Sequence, residues 1–299
     1  MVERDGTMQK KSFLSVCFDI FNYAMLFLIS FLCLYPFLYV VFASLSDSNM
    51  LMAADGMLLY PLGTNINAYR AVVKNPMIYS GYKNTLIVLF GGLAVNMLLS
   101  MLAAYVLSRK EFAIRKAATK FVMFTMFFSG GMIPTYLNVC SLGLDNTLLA
   151  LILPGAINVY NMVILRSGFD AIPESLIESA KLDGASHTRI MWRIVVPLAM
   201  PTIAVIILYY AVAHWNSWFS AMMYLRDREK FPIQLVLREI LLQNNTSDMM
   251  QGTDSNDAMA VAESIQYAII VVSTLPILVA YPYIQRFFVK GVMVGAVKG

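Results

Sequence analysis

A chain of 299 residues that is 59% hydrophobic and only 13% charged departs from an ordinary soluble domain, which carries about a quarter charged residues. A mean hydropathy of +0.66 points instead to an integral membrane protein, and a net charge of +4 gives no reason to expect a nucleic-acid partner. The three cysteines, Cys17, Cys33 and Cys140, stand far apart in or beside apolar runs. They form neither a metal spacing nor an even disulfide set, and read as small apolar residues.

Charge-free stretches predict an all-α membrane protein of six spans: Ile20–Ser46, Asn84–Ser108, Phe121–Leu144, Asn146–Leu165, Ile194–Leu225 and Ser264–Gln285. Each reaches the roughly 20 residues that cross about 30 Å of hydrocarbon. The first is too long for a cleaved signal peptide, and no small-residue cleavage site follows it. Most of the 22 lysines and arginines fall in 1–19, 109–120, 166–193 and 286–298, on one side of such a topology. The basic side is the cytoplasmic one, so both termini are expected there.

In chain order, residues 1–19 read as a cytoplasmic lead-in, with an interfacial helix from Lys11 onward. Pro36 in the first span predicts a kink, and Ser44–Lys83 is too polar to span. The second span ends at Ala103-Ala104-Tyr105 before the basic loop Arg109–Lys120. Gly130-Gly131 and Pro134 break helix regularity between the third and fourth spans, and Leu142–Asn146 reads as a tight outer turn. The prolines in or beside the spans predict broken helices, and the 21 methionines adaptable packing.

The most polar passage of the middle region is Phe169–Pro201. Pro173 suits a first helical turn. Leu176, Ile177 and Ala180 then share one face, with Glu174, Ser175, Glu178 and Lys181 on the other. Gly184 of Asp183-Gly184 can take the left-handed conformation that ends a helix. A second helix is expected from Ser186, an N-cap, through Arg189 and Arg193 toward Pro197. By itself such a segment more often lies flat in the headgroup layer.

Its residues, however, match a signature. Glu178-Ser179-Ala180, Gly184, Ile194 and Pro197 resemble the E-A-A-x(3)-G-x(9)-I-x-L-P motif of ABC-importer permeases, departing only at Ser179 and at Val196. The resemblance implies that the 169–193 loop is a coupling helix docked on an ATP-hydrolysing subunit. Glu174, Leu176, Ile177, Glu178, Ala180, Lys181, Asp183, Gly184 and Ala185 would then form the knob: Leu176, Ile177 and Ala180 packing, Glu178 and Lys181 pairing with partner charges. Asn67-Ala68-Tyr69 with Asn84-Thr85, and above all Ser129–Pro154, narrow the likeness to MalG-like carbohydrate permeases of the LplC and YtcP type. That group handles oligosaccharides and uronic-acid polymers.

Toward its outer half the fifth span carries His214-Trp215-Asn216-Ser217-Trp218. Polar groups inside a bilayer usually face a cavity or a protein partner, so His214, Trp215, Asn216 and Trp218, with Asn158 and Asn161 of the fourth span, are candidates for the substrate path. Interfacial anchoring by the tryptophans and a structural hydrogen bond from the histidine are the favoured alternative. Residues 226–263 form the largest outer segment, with helical apolar spacing in Pro232–Leu242. In MalG-like proteins the corresponding loop reaches toward the sugar-binding protein. The Gly-rich end resembles a MalG-like tail, which implies ATPase contact by Gly295, Val297, Lys298 and Gly299.

No phosphate-binding loop, H-E-x-x-H, C-x-x-C or G-x-S-x-G occurs, so no catalysis, metal or cofactor is expected of this chain. ATP and Mg would sit in the partners. The expectation is one permease domain, 20–289, between a cytoplasmic segment 1–19 and a tail 290–299, in a bacterial cell membrane. Implied partners are a second permease subunit, two ATPase copies and an extracytoplasmic solute-binding protein. An ABC permease for amino acids or peptides is the alternative. An ion-coupled transporter fits less well, since the spans lack the carboxylates and internal repeat it would need.

Overall fold

Lipid offers no partner for backbone N–H and C=O groups, so apolar stretches close their hydrogen bonds internally as helices. The computed structural model describes residues 13–54, 56–243 and 258–296. Apart from one isolated bridge between Ser46 and Thr64, the regular structure among them is helical. Contacts gather the chain into two compact units, residues 1–70 with 250–271, and residues 71–249 with 272–299.

The first unit is built on α1 (Phe13–Leu45), which is long and apolar enough to cross a membrane. Asp47 then caps the short α2 (Ser48–Met52), its carboxylate accepting from the N–H groups of Asn49 and Met50. Ala43, Leu51 and Leu58 form a small core beneath Tyr39, Phe42, Leu62 and Tyr267. The Tyr35 hydroxyl accepts from the Leu58 N–H at 3.1 Å. The polar stretch expected as an outer loop is therefore partly ordered, and includes α3 (Asn67–Lys74).

The second unit is organised by α4 (Pro76–Ser108). Asn75 caps it through the Met77 N–H, at 2.8 Å, and Pro76 at the first position loses no bond. Asn84, Val88, Gly92, Asn96, Ser100, Ala104 and Ser108 recur every fourth residue, and all are buried. In a bilayer every face is apolar enough, so association rests on close packing and interhelical hydrogen bonds, which such a small and polar stripe supplies. α4 packs on α7 (Val159–Asp170), α11 (Met200–Trp215) and α13 (Ile233–Gln243). Asn84 donates to Glu229 O at 2.7 Å, and Thr85 Oγ1 accepts from Ile233 N–H at 2.9 Å.

The expected third and fourth spans are not continuous helices. α5 (Arg115–Phe127) and α6 (Met132–Ser141) are separated at Gly131, whose φ of +93° favours glycine. A short 3₁₀ turn, Leu148–Leu151, precedes α7, and Pro154 and Gly155 lie in the irregular connection. The fifth span is broken as well. α8 (Glu174–Leu182) leads to α9 (His187–Ile190), a π-turn at Met191–Val195 and α10 (Val196–Leu198), and the run bends by 85° before α11. Pro197 and Pro201 flank that bend and withhold N–H donors. α12 (Trp218–Tyr224), a 3₁₀ turn at Arg228–Lys230 and α13 follow. The last helix, α14 (Ala258–Ala296), contains Pro276 and Pro282 and continues through most of the expected tail. Among the described residues three helices are long and apolar enough to cross a membrane, or four with the bent pair.

Asn146, at φ +55°, fastens the turn after α6 to the segment after α12. Its side chain donates to Asp227 at 2.8 Å and accepts from the N–H groups of Arg226 and Asp227, each at 3.1 Å. Lys230 closes the ring on Asn146 O and on Asp227, and hydrogen bonds from Lys230 and Asn146 hold the Asp227 carboxyl below its usual range. Asn146→Ala loses three bonds and the αL tolerance of asparagine. The expected cost is about 1–3 kcal/mol, to be read as a lower Tm in detergent.

Candidate functional site

Two sites emerge in the second unit, one at the α8 turn and one in the wall between α7 and α11. α8 begins after Pro173, which occupies the cap position and not the first turn. It ends at Asp183, and Gly184 takes φ +75°. Gly184 N–H donates to Lys181 O and Ala185 N–H to Ala180 O, each at 2.9 Å, so two of the carbonyls left open by the helix end are met. Ser186 Oγ then caps α9 on the Arg189 N–H. Local sequence is enough to explain this turn.

Its exposed faces differ from the simple amphipathic expectation. Ile177 is buried and Ala180 half-buried, both packed on the core that includes Tyr105, Leu107, Phe169 and Ile190. Leu176 is 45% exposed and Leu182 is 89% exposed, because a nine-residue helix has only one stripe facing its own protein. Glu178 and Asp183 are exposed and Ala185 half-buried. Lys181, expected to meet a partner's charge, is paired with Glu111 of the same chain, and Glu174 with Lys110 at 2.5 Å. The hydrogen bond from Lys110 holds the Glu174 carboxyl below the usual carboxylate range. A lowered folded value means that this pair stabilises above the unfolded carboxyl range and is lost only as pH falls through the folded one. It is intact at neutral pH.

The second site is a cavity of about 770 Å³ whose lining includes Asn158, Asn161, Tyr209, Tyr210, His214 and Asn216. Asn158 caps α7 through the Asn161 N–H at 3.1 Å. Tyr210 ties three helices, its hydroxyl accepting from Asn158 N–H at 2.9 Å and sharing a bond with Ser100 at 2.8 Å. Trp215 and Trp218 do not line it. Trp215 is buried beside Tyr82, ring centroids 6.4 Å apart, and Trp218 stacks under the Arg238 guanidinium at 3.8 Å. Of the tail candidates, Gly295 is helical within α14, and Val297, Lys298 and Gly299 lie outside the described residues.

Asn96 is the residue that sequence reasoning passed over. Its amide donates to Gly155 O at 2.7 Å and Ala156 O at 3.0 Å, meeting backbone groups freed by the break before α7. Its oxygen therefore faces His214 Nε2, at 2.6 Å, as acceptor, which makes Nε2 the protonated nitrogen. Gly92 makes room for that ring: a Cβ there would stand 2.3 Å from Nε2. A lone asparagine in the middle of an otherwise apolar span was the available signal.

A helical membrane chain with an exposed helix end at the α8 turn and a cavity between broken helices fits the architecture of a transport permease. The model of the family described as "Binding-protein-dependent transport system inner membrane component" matches residues 6–294, and the chain belongs to that family. It is 42% identical over 287 residues to the polygalacturonan/rhamnogalacturonan transport system permease protein YtcP of Bacillus subtilis (strain 168), covering 94% of this chain and 98% of that protein. It is 38% identical over 282 residues to Protein LplC of the same organism, covering 94% and 95%. A chain from the crystal structure of a bacterial ABC transporter involved in import of the acidic polysaccharide alginate superposes with a TM-score of 0.85 at 30% identity, covering 94% of this chain and 99% of that one.

Proposed function

We propose that this chain is one membrane subunit of an ATP-driven, binding-protein-dependent importer of oligosaccharides in a bacterial inner membrane, with both termini cytoplasmic. The observation that carries the reading is near full-length similarity, in sequence and in fold, to permeases of polysaccharide importers. The cavity agrees with it. Amides, hydroxyls and aromatic faces around 770 Å³ suit a sugar, which offers many hydroxyls and apolar ring faces. A second permease subunit would complete the path, two ATPase subunits would supply ATP hydrolysis, and a solute-binding protein would deliver the sugar outside.

In this reading α8 and its turn enter a cleft of the ATPase, with exposed Leu176, Leu182, Glu178 and Asp183 as the contact. Closure of the ATPase pair on ATP would move the knob, and the broken helices would rearrange until the cavity opens to the other side. An equilibrium moves only as far as the two ATPase states differ in their contacts with α8. Glu178→Lys should therefore lower uptake roughly tenfold, the equivalent of about 1.4 kcal/mol of lost contact, with membrane insertion unchanged.

The experiment is to tag the chain, solubilise native membranes gently and identify what co-purifies. The recovered complex is then reconstituted and offered labelled trigalacturonate, alginate trimer, maltotriose, amino acids and dipeptides. Recovery of a second permease, an ATPase and a binding protein, with ATP-dependent uptake of a sugar, supports the proposal. ATP-dependent uptake of an amino acid or dipeptide alone would favour the other solute class. Uptake by this chain alone without ATP would overturn both.

A further inference from the structure

We propose that Lys110 and Glu111 are positioning residues for energy coupling, strapping the two ends of α8 to the foot of α4 so that movement of α8 reaches the cavity wall. The proposal rests on the reading of α8 as the ATPase-docking helix. Adjacent residues in one turn reach opposite ends of that helix: Lys110 pairs with Glu174 in its first turn, and Glu111 with Lys181 in its last. These ends lie two turns apart, about 10 Å along the axis. Glu111 also stands 3.9 Å from His187 Nε2 at the start of α9. The 110–111 turn therefore holds α8 at both ends and sits beside the following helix.

The root of the strap is rigid. Arg109, only 8% exposed, lays its guanidinium 5.0 Å from the Tyr105 ring and donates twice to Ser108 Oγ, at 3.0 and 2.9 Å. Arg115, starting α5, donates to Ser108 O at 3.3 Å. Between the two ion pairs Ile177 plugs into the core, with Phe112 packed on the same core. From this foot α4 runs without an internal proline to Asn96, three turns away and about 18 Å along the axis. There it holds His214 at the edge of the cavity. An unbroken helix between two anchored ends acts as a lever: a tilt imposed at Ser108 displaces Asn96, and with it His214 and the backbone before α7.

Exposed ion pairs add little to folding stability. Fixing the register of α8 on α4 is the role left for them, and a charge exchange tests it without removing the plug. The complete importer is reconstituted carrying Glu111→Lys, Lys181→Glu or both, and, separately, Lys110→Glu, Glu174→Lys or both. Uptake of the panel sugar that wild type accumulates is measured along with the ATP hydrolysed per sugar and the recovery of ATPase subunit. Each single reversal should cut uptake at least about fivefold and raise ATP consumed per sugar. Each double exchange should restore both, because like charges repel where opposite charges attracted. Wild-type uptake in the single reversals, or doubles that stay as low as the singles, would overturn the proposal. Gly184→Val is measured alongside. If it uncouples while the reversals do nothing, the strap alone is wrong; if it too is normal, the docking role of α8 has failed.

Discussion

On the docking role proposed for α8, Gly184→Val should abolish sugar uptake while leaving the protein in the membrane. Gly184 sits at φ +75° with nothing within 4 Å of where a Cβ would be. The effect is therefore conformational and not a clash. The left-handed region costs an L-residue roughly 1–2 kcal/mol, and a β-branched side chain tolerates it least. Valine would draw the backbone toward extended angles and break the bonds to Lys181 O and Ala180 O, 2.9 Å each, that turn α8 into α9. The end of α8 would lose its shape where Leu182 and Asp183 are exposed. Gly184→Asn should transport far better than Gly184→Val, since asparagine visits this region. Uptake and ATP hydrolysis in proteoliposomes decide it: normal uptake by the valine variant, or equal failure of both variants, would count against the turn as the coupling element.

The second large effect is expected at Gly92. A methyl group there would lie 2.3 Å from His214 Nε2 and 2.6 Å from Cε1, and the ring cannot retreat without leaving Asn96 at 2.6 Å. Gly92→Ala should cost about 1–3 kcal/mol through overpacking and a lost buried hydrogen bond, lowering Tm in detergent by several degrees and impairing uptake. His214→Ala in the same chain should recover much of the stability, because it removes the obstructing ring. Additive losses in that double-mutant cycle would show that Gly92 and His214 do not meet. Asn96→Leu should be harsher than His214→Ala, since it also strands the carbonyls of Gly155 and Ala156.

These two positions differ in how legible they were. Gly184 could be read in advance because its cause is local: a polar amphipathic stretch ended by Asp-Gly leaves few conformations other than a helix and a left-handed stop. The Ser186 cap and the helix near Pro232–Leu242 were legible for the same reason. Gly92 was silent, since a glycine in an apolar span says nothing about what approaches it. Trp215 and Trp218 were legible only as ambiguous. Aromatic character near a membrane surface suggests a sugar face, yet one packs beside Tyr82 and the other under Arg238. The Lys181–Glu111 pair was not legible, because helix periodicity cannot reveal a loop seventy residues earlier in the chain.

What the sequence by itself determined is the solvent and the secondary structure: uncharged apolar runs must be helical in lipid, and the polar passage between them must return to water. It also determined the family, through residues whose spacing serves one turn. Tertiary structure decided the rest. Runs long enough to span became broken helices at Gly131, at Pro154-Gly155 and at Ala199, because neighbouring side chains such as Asn96 could meet the freed backbone groups. The same contacts chose which polar residues face the cavity. Those choices depend on partners distant in sequence, whose approach is set by packing between helices and leaves no periodic trace in any one of them.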